Sequence, residues 1–273
     1  LDITTLARLL YFAAGLVRTR VLPLAGEVHY RAAASAGALY PIEVYLVCRD
    51  IPGLAAGLYH FSPLDFTLRQ LRDGDYRGTL LAAAGSDTQI AAAPGILVFT
   101  AIFWRSAWKY RPRSYRYCLW DCGTMLANLL ATAQGEIGLP AKGVAGFVDE
   151  AVNGLLGLQQ GREAALCLVP VGAGGSLQEF PRDSGEQSAA PPPLPVAAPG
   201  DADDGVIEYP EIRRIHDASC LAADGEVAAW RAGAAALSHL VGEGRTREKP
   251  QNYSPGPTAA SPLTTRFPLA KGG

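Results

Sequence analysis

Leu6, Leu9, Leu10 and Ala13 recur at three- and four-residue steps, behind Asp2 and Thr4 as candidate N-caps and ahead of Gly15 as a stop. That spacing predicts an opening helix. "IEVYLVCRD" (42–50) is β-branched and aromatic and reads as a strand. "GLYHFSPLDFTLRQL" (57–71) reads as a hairpin around Ser62-Pro63, with Leu58 and His60 alternating against Tyr59 and Phe61. "YRGTLLAAAG" is helical in pattern, and "PGILVFTAIF" (94–103) and "EAALCLVPVG" (163–172) are apolar enough for buried strands. Between those two strands lies a long helix, from about Ser114 to Gln134. Its polar residues Asp121, Thr124, Asn128 and Thr132 form one thin stripe on an otherwise apolar cylinder. A helix of about 30 Å with that pattern needs cover on most sides, from its own core or from a second copy. Helices and strands mix without regular βαβ alternation, so the expected class is α+β, a central mixed sheet flanked by helices.

The pattern changes after residue 175. Residues 1–175 read as one dense domain. The stretch 176–208 is rich in proline, alanine and acids, as an extended linker is. Residues 209–241 read as two short helices, the second starting at Asp224 or Gly225. Residues 242–273 are polar and proline-containing, the composition of a poorly ordered tail.

Composition removes several functions. The 273 residues carry a net charge of −2, which gives no general field for nucleic acid or an anionic membrane. Asp121 and Asn128 in mid-helix argue against a membrane span. The five cysteines are odd in number and scattered, without a CxxC, and the four histidines show no zinc spacing, so no metal site is expected. This cysteine usage suits a reducing cytoplasm.

Three segments carry candidate chemistry. Between Lys109 and Tyr117 the chain crowds Lys109, Arg111, Arg113, Arg116 and three tyrosines just before the long helix. Ala32 to Ala38, in "YRAAASAGALYPIEVYLV", is poor in side chains, which lets backbone approach a flat ligand or simply makes a packing turn. "PAKGVAGFVDEAVNGLLGL" (140–158) places Gly143 and Gly146 before a helix expected to be capped near Asp149, a place for a backbone hydrogen bond to a cofactor or an ordinary loop. No GxGxxG and no P-loop accompanies them.

Taken in order, "LARLLYFAAG", "YRAAASAGALYPIEVYLV", "GLYHFSP", "TQIAAAPGILVFTAIFWRSAWKYRPRSYRY", "DCGTMLANLLATAQGEIGLPA", "GFVDEAVNGLLGL" and "EAALCLVPVG" resemble the flavin-dependent nitroreductase superfamily, within it the SagB-type dehydrogenases that act as azoline oxidases in peptide biosynthesis. The resemblance spans nearly two thirds of the chain. It implies FMN bound at the interface of an intertwined homodimer or of two tandem copies, with the long helix at its centre. It also implies oxidation of a thiazoline or oxazoline in a peptide. A broad NAD(P)H-dependent nitro or quinone reductase and a flavin-free dimerisation or docking module are the alternatives. By resemblance, Ala34, Ser35, Ala36 and Gly37 take the place of the family's Pro-Ser-Gly-Gly turn against the flavin. Val144, Ala145 and Gly146 take the place of the loop offering an N–H to the redox-active flavin nitrogen. Lys109 and Tyr110 match the proposed acid/base pair, and Arg31, Gln89 and Arg105 fall at positions near the site. Chemically, like charge on Arg111, Arg113 or Arg116 favours the neutral amine that a lysine base needs. Two departures stand out. Ala34 and Ala36 replace the family's proline and first glycine, and the Arg-x-Ser-x-Arg segment that grips the FMN phosphate has no counterpart before "LARLLYFAAG". The expectation is that this arm lies upstream in a longer tandem protein. Arg266, in "PLTTRF" (262–267), is the other candidate for its role.

Overall fold

The computed structural model describes residues 1–23, 26–159, 161–172 and 207–245. The linker, apart from Ile207 and Glu208, and the tail beyond Arg245, Arg266 included, lie outside the described residues. Contacts divide the chain at Arg231 into a unit 1–231 and a unit 232–273. Of the second unit, residues 232–245 are helical.

The first unit is built on an antiparallel sheet of β3 (Ile42–Cys48), β4 (Gly57–Ser62), β5 (Thr67–Asp73), β6 (Gly95–Ile102) and β7 (Glu163–Val171), in the order β5-β4-β3-β6-β7. A separate hairpin, β1 (Leu16–Leu22) with β2 (Gly26–Arg31), precedes it. This hairpin is absent from the sequence reading, because its residues 17 to 20 (Val-Arg-Thr-Arg) are exposed and leave no apolar face to mark it.

Successive residues of β3 and β6 enter two different cores. Val44, Leu46, Leu97 and Phe99 join α1 (Ile3–Ala14) and α5 (Ser114–Leu130) on one face. Tyr45, Val47, Ile96 and Val98 join α2 (Arg77–Ala83), α3 (Thr88–Ala92) and α6 (Asp149–Leu156) on the other. Helices therefore cover both faces, which is why β3 and β6 are unbroken apolar runs. For the same reason the alternation expected in β4 does not separate buried from exposed: Leu58, Tyr59 and Phe61 are all buried, and only His60 is half-exposed. Each fully buried leucine of α1 (Leu6, Leu9) contributes about 1.5–3 kcal/mol. Asp2 caps α1 by accepting the Thr5 N–H at 2.7 Å, and Gly15 ends it.

The long helix differs from its expectation at both ends. It is entered through α4 (Trp104–Tyr110) and a single tight turn, Arg111–Arg113, and its last seven residues, Ala131–Ile137, widen into a π-helix that stops at left-handed Gly138. Among the described residues it is also covered on one side only. Cys118, Cys122, Met125 and Leu129 are buried, whereas Leu119 is 44% exposed and Trp120 is 58% exposed, with Trp108 of α4 exposed as well. The polar stripe is satisfied piecemeal: Thr124 and Thr132 bond carbonyls of their own helix, Asn128 bonds the Phe12 carbonyl, and Asp121 leaves the helix for the small-residue turn.

Beyond β7, α7 (Pro210–Asp217) is short as expected, but α8 (Asp224–Arg245) has 22 residues and continues past the expected boundary at 241. Val148 occupies the cap position of α6, and Asp149, in its first turn, instead accepts the Leu221 N–H at 2.8 Å.

Candidate active site

The small-residue segment forms a tight turn around a 3₁₀ helix, Ala36–Ala38, fixed from below by α5. Ser35 Oγ donates to one oxygen of Asp121 at 2.6 Å, and the Ala36 N–H donates to the other at 3.1 Å. The same Ser35 Oγ accepts the Tyr40 N–H at 2.9 Å, and Tyr40 Oη accepts the Arg31 N–H at 3.1 Å. Burial raises the Asp121 carboxyl above its ordinary value, and the two hydrogen bonds from the turn offset part of that rise. With so few side chains to pack, the turn takes its shape from these bonds and accommodates real strain. Gly37 lies at φ 66°, but Ala38 (φ 55°) and Tyr40 (φ 48°) are also left-handed, at a cost of order 1 kcal/mol or more each.

Lys109 and Tyr110 converge on this turn. A methyl group placed on Gly37 would lie 2.6 Å from Tyr110 Oη and 2.8 Å from Lys109 Nζ, so only glycine leaves room for both. Lys109 Nζ stands 5.4 Å from the Tyr110 ring centroid, and Tyr110, Tyr117 and Trp120 continue edge to face at 4.5 and 5.3 Å. The pair is delivered by the break after α4, where Arg111 adopts φ 55°, ψ −148°, a region essentially reserved for glycine. Tyr115 points the other way, into the core beside Phe103. The basic-aromatic block is therefore split: one side is a wall above the turn, the other is packing.

Arg31 and Arg105 do not face this wall. Both point at buried Glu43, with Arg31 also donating to the Ile42 carbonyl at 2.8 Å, while His60 meets the other Glu43 oxygen at 2.8 Å. The side chain of Arg31 is 12% exposed and its guanidinium is engaged inward, which leaves it a supporting part under the turn rather than a ligand-facing cation. Burial alone would raise Glu43, but the His60 hydrogen bond and the Arg105 and Arg31 charges outweigh it and hold its carboxyl at about 2. A carboxyl lowered in the folded state stabilises the fold above its ordinary value of 4.5 and loses that contribution as pH falls through about 2. Chemical denaturation between those limits should show the loss in the wild type and a flatter profile in Glu43→Gln.

The glycine loop forms a second group. It runs along the free edge of β7, where the Val144 N–H donates to the Leu168 carbonyl at 2.8 Å and the Val144 carbonyl accepts the Leu168 N–H at 2.9 Å. Val144 is thus committed to the sheet and its N–H does not point outward, contrary to the expectation that it could serve a cofactor. Ala145 is exposed, and Gly146 lies under Trp230 of α8: a methyl there would meet the indole at 2.5 Å. Gln89 follows the Asp87 cap of α3, which pairs with Lys142 of the loop and with Arg231, both at 3.4 Å, placing Gln89 on this side of the molecule. The two groups rest on different sides of α5, because Asp121 holds the turn while Gly143 packs on Leu126, five residues or roughly 140° around the helix.

Asp121, Tyr40, Glu43 and Trp230 were not among the sequence candidates. Asp121 had left a signal, a carboxylate on an apolar helix. The other three had none, since each acts through contacts remote in sequence.

Residues 4–173 match the family described as Nitroreductase family. The chain belongs to the nitroreductase family. Within it, the chain is 31% identical over 146 residues to a Methanocaldococcus jannaschii protein named as a nitroreductase, covering 54% of this chain and 72% of that one. It is 35% identical over 138 residues to the microcin B17-processing protein McbC of Escherichia coli, covering 48% of this chain and 50% of McbC. Among solved structures, a nitroreductase-family protein from Anabaena variabilis superposes with a TM-score of 0.66 at 29% identity, covering 81% of this chain and 43% of that one. The Escherichia coli microcin synthetase McbBCD complex with truncated pro-MccB17 superposes with a TM-score of 0.54 at 30% identity, covering 64% and 65%. This nitroreductase-family chain thus spans half of McbC and less than half of the Anabaena protein. Its fold, an antiparallel sheet between helical layers, is the family's fold.

Proposed function

We propose that this chain is the flavin-binding part of an oxidoreductase that dehydrogenates an azoline ring in a ribosomally made peptide, thiazoline to thiazole or oxazoline to oxazole. The observation that carries the reading is the convergence of Lys109 and Tyr110 on the Gly37 turn. The turn suits a flat ring: Ala34 and Gly37 are exposed, Gly37 has no side chain, and Asp121 pins the backbone from the opposite side. Ala34, Ser35, Ala36 and Gly37 would hold FMN there, with the backbone at exposed Ala145 as the second support. Bound FMN would supply a two-electron acceptor for a hydride. The chain's own work is the proton. Oxidising the azoline requires loss of a proton along with the hydride, and Lys109 Nζ is placed to take it, with Tyr110 Oη beside it to polarise or relay. Similarity to McbC, whose name refers to microcin B17 processing, supports a peptide substrate.

The separation of the two groups around α5, and the exposed Trp108, Leu119 and Trp120, support a homodimer or pseudo-dimer in which a second copy completes the site. The Methanocaldococcus relative favours a second reading, a broad NAD(P)H-dependent nitro or quinone reductase. The test is to supply FMN to the purified full chain, record the visible spectrum, and offer either a thiazoline peptide or NADPH. The azoline reading expects bound flavin that bleaches with the peptide and yields an azole. Bleaching by NADPH alone with quinone turnover selects the reductase. No flavin binding leaves neither.

A further inference from the structure

His216 lies in the last turn of α7, Cys220 three residues past its end, and Asp149 opens α6, 67 residues before His216. The fold brings one atom from each, a ring nitrogen, a thiol sulfur and a carboxylate oxygen, to within 4.8 Å of one another, the one such His/Cys/acid grouping among the described residues. All three side chains are half-buried. The Cys220 Sγ to His216 Nε2 distance is 3.7 Å. Ligands about 2.3 and 2.0 Å from a tetrahedral zinc ion stand roughly 3.5 Å apart, so the pair is already near coordinating separation.

The surroundings fix the three groups. Asp149 and Leu221 exchange two hydrogen bonds, Leu221 N–H to the Asp149 carboxylate at 2.8 Å and Asp149 N–H to the Leu221 carbonyl at 3.1 Å. The His216 ring lies between Phe103 and Tyr115, with centroids at 5.2 and 6.0 Å. Tyr115 Oη is 3.4 Å from Nδ1, the arrangement by which an outer partner turns the other ring nitrogen toward a metal. A nucleophilic role for Cys220 is disfavoured, because burial, and after it the Asp149 carboxylate beside the sulfur, works against the thiolate.

We propose that Asp149, His216 and Cys220 form a three-ligand site for a divalent transition metal of zinc's character, the fourth position being filled by water. On binding, the Cys220 S–H proton passes to solvent and a metal–sulfur bond replaces it. The site fastens α7 and the Leu221 segment to the start of α6, three residues beyond Gly146. It does not depend on the flavin reading.

The test is a Co²⁺ titration of the chelator-treated full chain, followed by displacement with Zn²⁺. One Co²⁺ per chain is expected, with a near-ultraviolet thiolate-to-cobalt charge-transfer band and tetrahedral visible bands, all lost on adding Zn²⁺. Cys220→Ser should remove the charge-transfer band, His216→Ala should abolish stoichiometric binding, and Tyr115→Phe should weaken it about tenfold. If either ligand variant fails to fold by circular dichroism, Asp149→Asn, which can still accept the Leu221 N–H, takes its place and should weaken binding by at least as much as Tyr115→Phe. Absence of saturable Co²⁺ binding by the wild type, or a charge-transfer band that survives Cys220→Ser, overturns the proposal.

Discussion

Replacing Lys109 with alanine, or Tyr110 with phenylalanine, is expected to cut turnover of a thiazoline peptide by about a hundredfold to ten-thousandfold while flavin stays bound. The two parts of that result come from different features. Turnover falls because each change removes the one group, an amine or a phenolic hydroxyl, that the fold sets against Gly37. Flavin is retained because the hydrogen bonds that shape the turn run through Ser35, Ala36 and Asp121. Steady-state kinetics together with the flavin absorbance of the purified variants check both parts. Full activity in both variants would remove Lys109 and Tyr110 from the chemistry. Loss of flavin in both would instead make them cofactor ligands.

Asp121→Ala should have the opposite signature, loss of the cofactor and of stability together. The Ser35 hydroxyl and the Ala36 N–H lose their acceptor, and Ser35 in turn steadies the Tyr40 N–H. An unsatisfied buried donor costs about 1–3 kcal/mol, and these two are half-buried, so a total of about 2 kcal/mol is expected, or roughly 6 °C in Tm. A turn with left-handed Ala38 and Tyr40 has little reserve against that loss. Asp121→Asn keeps an acceptor oxygen and should fall between the two. Differential scanning calorimetry and FMN titration measure these effects. An Asp121→Ala protein with wild-type flavin affinity would show that the anchor is dispensable for binding.

Much of the fold was legible because its signals are local. The opening helix announces itself by Leu6, Leu9 and Leu10, and β3, β6 and β7 by apolar runs that two helical layers later explain. The β1–β2 hairpin escaped because exposed arginines and threonine interrupt it. The α5 helix was legible as apolar and in need of cover, but composition does not say whether its own core or a second copy provides that cover. For the site, residue types were readable and their geometry was not. Lys109 and Gly37 are 72 positions apart, and no spacing rule joins them. Val144 and Arg31 looked available in the sequence; the β7 edge and Glu43 take up their donors in the structure.

The placement of the tryptophans has an optical consequence. Of the four in the chain, Trp108, Trp120 and Trp230 are each about half exposed, the first two beside the outward face of α5 and the third on Gly146. Native emission is therefore dominated by solvated indoles. The molecule carries its own fluorescent reporters on the surface a second copy would cover and on the loop a ring system would approach.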